Sequence, residues 1–202
     1  MLDVGCGTGR FAAALGHKAR VWGIDASAEM LSVARSRVPR TVRLKQAEAE
    51  RPPFRDGWFD RVTYWLVIHL LDRPAAFAAA HRLLDDGGRT CIATFDPAHF
   101  DHYWANRFFP SMERLDRERF PTEDELEQEL KGAGFASVRM LPHVQRDSIG
   151  RDEALLKLRG KHISTFDLLE PDEYEEGLER AESELPQRVD TSLYWLLCFA
   201  DR

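Results

Sequence analysis

The sequence predicts an α/β protein with a parallel sheet and helices on both of its faces. Three observations point there. Up to about residue 95, short apolar runs alternate with helical patterns, the rhythm of repeated β-α-β units. A turn carrying Gly5, Gly7 and Gly9 joins the first apolar run to the first helical pattern. The second apolar run ends on an acid, Asp25.

Each element has a local cause. Leu2 to Val4 reads as a strand stub, and Gly9 to Lys18 as a helix with Phe11, Ala14 and Leu15 on one face. Val21 to Ile24 is the second strand. Ser27 caps a helix running to about Arg37, with Met30, Leu31 and Ala34 turned inward. Val42 to Leu44 is a weaker third strand and Phe59 to Leu66 a fourth. Pro74 opens a helix through Leu84, where its missing N–H costs nothing. Gly87 and Gly88 close that stretch, and Arg89 to Phe95 is the fifth strand. After Pro97 the rhythm changes. His99 to Met112 is rich in aromatics: Phe100, Tyr103, Trp104, Phe108 and Phe109. Thr122 to Glu125 forms a capping box for a helix ending at Gly132 or Gly134. Ser137 to Leu141 reads as a strand and 151–160 as a helix. Pro171 starts another helix with Tyr174, Leu178, Ala181 and Leu185 on one face, and Leu193 to Ala200 is the last strand.

Composition bounds the function. The chain has 202 residues and a net charge of 28 − 34 = −6, which argues against a nucleic-acid binder relying on a basic surface. Its length suits one domain, or one with a cap. No apolar run reaches transmembrane length and no signal-peptide pattern opens the chain. Cys6, Cys91 and Cys198 are scattered, without a CxxC or Cys/His spacing, so a reducing cytoplasm is expected and no metal site. Arginine far outnumbers lysine and alanine is abundant, a hint of a GC-rich bacterial genome.

The glycine turn carries the chemistry. Without Cβ atoms, a ligand can lie against the main chain, and the helix N-terminus adds free N–H groups and a partial positive charge. The dinucleotide fingerprint G-x-G-x-x-G fails here, because Arg10 holds its third position. What stands instead is D-x-G-x-G-x-G from Asp3 to Gly9. The loop therefore calls for a ligand with a polar or anionic group, while the carboxylate beside it would repel a pyrophosphate.

LDVGCGTG resembles motif I of the class I S-adenosylmethionine (SAM) dependent methyltransferases, of the methyltransferase-11-like small-molecule type. Four further blocks resemble the family in order: VWGIDASAEML, QAEAERPPF, WFDRVTYWLVIHLLDRP and DGGRTCIATFDP. Together they cover roughly residues 1 to 95. The resemblance implies a Rossmann-like three-layer αβα sandwich. Its sheet would be mostly parallel and seven-stranded with the last strand antiparallel, plus a small helical and aromatic cap. It implies one domain over 1–202. Residues 1–97 would form the cofactor half, and 98–202 the substrate half with cap segments 98–120 and 145–187. It implies that Asp3, Gly5, Cys6, Gly7, Thr8 and Gly9 hold the methionyl end of SAM. Asp25 would take the ribose hydroxyls and Glu48 the adenine amine, with Ala26, Met30, Ala49, Trp65 and Leu66 alongside.

Glu48 departs from the family's commoner Asp, Trp65 from a small or polar residue, and Asp86 from the Pro before Gly87 and Gly88. Members usually carry a helix ahead of motif I; here Met1 directly precedes Leu2. The expectation is an unusually open edge there, or one filled by another part of the chain or a partner, or else a true start upstream of Met1.

The implied function is methyl transfer from SAM to a small-molecule acceptor by in-line displacement, with no nucleic-acid or membrane partner, in a monomer or homodimer. Such chemistry asks mainly for alignment and desolvation, and for a base only if the acceptor must lose a proton. No catalytic residue stands out. His69, after the fourth strand, is the weak candidate base, with a structural histidine as the plainer reading. His69, Tyr103, Trp104, His143, Arg151 and His162 are the candidates for the substrate lining. His99 and His102 near Asp96 and Asp101 lack a metal signature. A SAM-binding protein without transferase activity is the alternative, and an NAD-dependent oxidoreductase a weaker one.

Overall fold

The computed structural model describes all 202 residues. Its secondary structure follows the order β1 (Leu2–Val4), α1 (Arg10–Gly16), β2 (Val21–Asp25), α2 (Ala28–Arg37), β3 (Val42–Gln46) and β4 (Phe59–Trp65). Then come α3 (Arg73–Leu83), β5 (Leu84–Phe95), α4 (Ala98–His102), α5 (Met112–Arg119), α6 (Glu123–Gly132), β6 (Ser137–Gly150), α7 (Arg151–Arg159), α8 (Pro171–Glu184) and β7 (Arg188–Asp201). Single 3-10 turns lie at Ile68–Leu70 and Ser164–Leu168.

The seven strands form one sheet in the order β3-β2-β1-β4-β5-β7-β6. β1 pairs in parallel with β2 and β4, β2 with β3, and β4 with β5. β7 runs the other way: Arg202 N–H donates to the Gly88 carbonyl and Asp96 N–H to that of Tyr194, so one number rises as the other falls. The strand order reverses between β1 and β4, where open sheets of this kind bind ligands at their carboxyl edge.

The chain divides into two compact units. The first comprises Met1–Thr94, Thr122–Leu141 and Leu196–Arg202. Its main core sets Leu2, Val4, Val62, Tyr64 and Ile92 of the sheet against Phe77, Ala80 and Leu83 of α3 and Leu126 and Leu130 of α6. A smaller core joins Cys6, Ala12, Val21, Leu31 and Val42. The second unit comprises Phe95–Pro121 and Pro142–Trp195. It has its own core, built on Phe108, Phe109, Met112, Leu158, Phe166 and Ala181. The expected cap segments 98–120 and 145–187 fall within it. Of the expected cofactor half, 1–97, residues 1–94 lie in the first unit and 95–97 in the second, and the first unit also takes in 122–141 and 196–202.

Three elements run differently from expectation. β6 extends to Gly150 and β7 begins at Arg188, and β5 begins at Leu84 rather than Arg89. β6 is an edge strand whose residues 141–147 are all exposed, so no apolar alternation marks it. α4 and α5 are short and lack a side-chain cap, so no local signal marks either of them.

Candidate functional site

The loop after β1 is built from backbone positions that suit glycine. Gly5, Gly7 and Gly9 have φ of 66°, 51° and 77°. At Gly5 a Cβ would come within 2.3 Å of Val67 Cγ2. At Gly7 a Cβ would meet nothing within 4 Å, so that position opens onto free space. The loop is tied down by Cys6 N–H donating to the Ile24 carbonyl (2.9 Å), Gly9 N–H to the Cys6 carbonyl (2.9 Å) and Gly7 N–H to Asp25 Oδ2 (2.7 Å). Gly9 is then the N-cap of α1.

Three polar groups surround this loop. Asp3 is 1% exposed; its Oδ1 accepts from Thr63 Oγ1 at 3.2 Å, while its Oδ2 is buried with no hydrogen-bond partner. Burial without a counter-charge pushes its pKa up to about 7; the Thr63 hydroxyl pulls it down and the Asp25 carboxylate adds to the rise. Asp25, at the end of β2, accepts Gly7 N–H on Oδ2 and Ser27 N–H on Oδ1 (2.9 Å). A carboxylate offers about four lone-pair sites, so capacity for hydroxyl donors remains. Cys6 is buried in the smaller core, and burial together with Asp3 and Asp25 pushes its thiol up to about 12, which disfavours the thiolate a nucleophile would need.

The remaining candidates of the first unit lie at neighbouring strand ends. Ala26 follows Asp25, and its carbonyl accepts from Gln46 Nε2 at 2.8 Å. Met30, in the first turn of α2, is exposed, and its N–H donates to Ser27 Oγ. Ala47 N–H donates to the Asp25 carbonyl (3.1 Å), so the exposed Glu48 and the buried Ala49 follow directly on that tie. Trp65 ends β4, stacked on Phe11 at 4.6 Å and 26°. Leu66, next along, has φ 49°, a left-handed backbone rare for a bulky side chain. His69 stands in the 3-10 turn beyond.

Three contributors were missed in the sequence: Thr63, Phe11 and Arg37. The Arg37 guanidinium clamps the loop by donating to the Thr8 carbonyl (2.8 Å) and hydroxyl (2.7 Å). Thr63 and Phe11 reach the site through strand register and helix placement, which no short motif records.

In the second unit, two candidates meet. Tyr103 Oη lies 2.9 Å from His162 Nε2, and His162 Nδ1 lies 3.0 Å from the Lys157 carbonyl. A carbonyl only accepts, so Nδ1 carries the proton and Tyr103 donates to Nε2. Burial lowers the His162 pKa and raises that of Tyr103. Trp104 packs against that unit's core. The Arg151 guanidinium donates to the Leu185 and Glu182 carbonyls and so ties down the C-terminal end of α8. His143 is exposed on edge strand β6. His99 is buried flat against Phe95, 4.0 Å between ring centroids, and its pKa is pushed down to about 4 by burial. Asp101 is held by Arg117, and Asp96 accepts from Ala98 N–H. No group of three or more His, Cys, Asp or Glu gathers as a metal site.

A parallel sheet of this order, with a glycine loop between β1 and α1 and acids on β1 and β2, defines a class of α/β proteins that bind nucleotide-like cofactors at the switch point. Comparison with known proteins narrows the class. A family model described as a methyltransferase domain matches residues 2–92. Malonyl-[acyl-carrier protein] O-methyltransferase of Geobacter sulfurreducens is 36% identical over 155 residues, covering 69% of this chain and 57% of that protein. Demethylmenaquinone methyltransferase of Geobacillus stearothermophilus is 31% identical over 170 residues, covering 70% of this chain and 73% of that one. A crystal structure described as a methyltransferase from an antibiotic biosynthesis pathway of Anabaena variabilis shares the fold, with a TM-score of 0.78 and 24% identity over 98% of this chain and 88% of that chain. The chain belongs to the class I SAM-dependent methyltransferase family.

Proposed function

We propose that this chain transfers a methyl group from SAM to a small-molecule acceptor. The observation that carries the reading is Asp3: a buried carboxyl with an unpartnered oxygen and no counter-charge, next to a three-glycine loop. Such a group is poised for a cation, and SAM brings two, an α-ammonium and a sulfonium. The residues fit this cofactor. Asp3 and the backbone from Gly5 to Gly9 would hold its methionyl end, with open space at Gly7. Asp25 would accept from ribose hydroxyls and Glu48 from the adenine amine. Ala26, Met30, Ala49, Trp65 and Leu66 would line it.

The chemistry SAM supplies is a methyl group on a good, neutral leaving group. What this chain must add is alignment of the acceptor and exclusion of water. His69 would act as a base only for an acceptor that must lose a proton. The first acceptors to try are those its relatives are named for, malonyl-acyl carrier protein and demethylmenaquinone. We place the protein in a bacterial cytoplasm, as a monomer or homodimer without nucleic-acid or membrane partners. Its three cysteines are unpaired, and no helix is long and apolar enough to cross a membrane.

Calorimetry with SAM and with its demethylated product, S-adenosylhomocysteine, tests the cofactor, and product release over an acceptor panel tests the transfer. Binding of both ligands with turnover of one acceptor is the expected result. No heat at millimolar SAM would overturn the reading.

A further inference from the structure

The sheet register gathers an unusual set of groups on one face. Asp3 lies level with Gly23 on β2 and Thr63 on β4. Two residues further on, Asp25 follows Gly23 and Trp65 follows Thr63. Period-two alternation returns both to the face that Asp3 and Thr63 share. The hydrogen bond between Asp3 and Thr63 fixes that face. So the carboxyl end of three adjacent strands carries two carboxylates and one indole. Neither carboxylate has an ion-pair partner: Asp3 meets Thr63, and Asp25 meets backbone N–H groups.

Trp65 is held, yet 41% exposed. Its ring stacks on Phe11, the second residue of α1, directly after the loop. Its other edge and face are thus open to a ligand at the end of β4. An indole face carries negative potential and attracts a cation by about 0.5–2 kcal/mol. A neutral thioether receives no such attraction.

We propose that Trp65, steadied by Phe11, is the residue through which this site reads the positive charge on the cofactor's sulfur. The inference rests on the reading of the site as a SAM site. Trp65 then favours SAM over S-adenosylhomocysteine, and its hold weakens once methyl transfer leaves the sulfur neutral. It is a binding and product-release residue, and takes no proton.

The test is calorimetry of the full chain with SAM and with S-adenosylhomocysteine, for wild type, Trp65→Leu and Trp65→Phe. Trp65→Leu is expected to weaken SAM by about 2- to 30-fold, the fold-change that 0.5–2 kcal/mol represents, and the product by less than about 2-fold. Trp65→Phe keeps a ring and is expected to fall between the two, which preserves the test should the leucine variant not fold. Phe11→Leu is expected to shift the ratio the same way by a smaller factor. Equal loss of both ligands would show that Trp65 only packs, and unchanged SAM affinity that it does not reach the sulfur; either overturns the proposal. Wild type silent toward both ligands would instead overturn the cofactor reading, and this proposal with it.

Discussion

Asp3 pits stability against binding. Its folded pKa, about 7, stands above the usual 3.8, so the folded state holds a proton that the unfolded chain releases between those values. Stability from this group is therefore full below about pH 4 and declines as pH rises through 7, by at most about 4 kcal/mol at 1.36 kcal/mol per pKa unit. Asp3→Asn should flatten that decline and raise the melting temperature at pH 8, while weakening SAM at least tenfold. Melts at pH 5 and pH 8 beside calorimetry check both; a variant that loses stability at pH 8 would contradict the sign. The loop glycines separate fold from ligand in the same way. Gly5→Ala drives a methyl into Val67 and should cost about 2–4 kcal/mol, as overpacking plus a left-handed backbone. Gly7→Ala meets no neighbour, so it should cost only about 1–2 kcal/mol in backbone strain while blocking the ligand. Ligand loss without unfolding in the second variant alone is the expected pattern, read from melts and SAM titrations.

At the scale of elements, the sign of a substitution depends on what the helix faces. A mid-helix glycine usually gains up to about 1 kcal/mol on replacement by alanine. Gly177 of α8 should do the reverse, because its Cβ would lie 2.4 Å from Phe109 Cε1 and 2.7 Å from the Phe108 carbonyl. Gly177→Ala is expected to cost about 1–3 kcal/mol in denaturant melts; a gain would show that Phe109 can turn away. The elements legible in the sequence were those with a local cause: the Ser27 cap of α2, the capping box at Thr122 and Glu125 that opens α6, and the apolar strands of the parallel sheet. Those that were not have causes elsewhere. β6 pairs along an exposed, polar stretch, and α5 is fixed by Asp116 accepting from Thr165, 49 residues away in sequence. The site divides the same way. Its glycines and the acids Asp3 and Asp25 are written in order along two strand ends. Thr63 and Phe11 join them only through register and stacking, and the Tyr103–His162 pair only through the packing of the second unit.

At the scale of the molecule, the chain leaves the first unit twice, at Phe95 and at Pro142, and each time returns to complete the sheet. Each unit buries its own apolar cluster, so each has the means to unfold as a cooperative block. Hydrogen exchange read by mass spectrometry resolves this. Phe77→Ala removes a fully buried ring that packs edge-on to Tyr64 in the first unit, and should cost about 3–5 kcal/mol. It should speed exchange in 1–94, 122–141 and 196–202 while leaving α7 and α8 near their wild-type rates. Gly177→Ala should do the converse, speeding 95–121 and 142–195 and sparing β1, β4 and α3. SAM should add protection over residues 3–9 and the end of β2, because a ligand that binds only the folded site stabilises it by RT ln(1 + [L]/Kd). Both variants speeding exchange everywhere would mean that the two cores melt as one. A single transition would then have to carry every substitution, and the separation of loop stability from the second unit would fail.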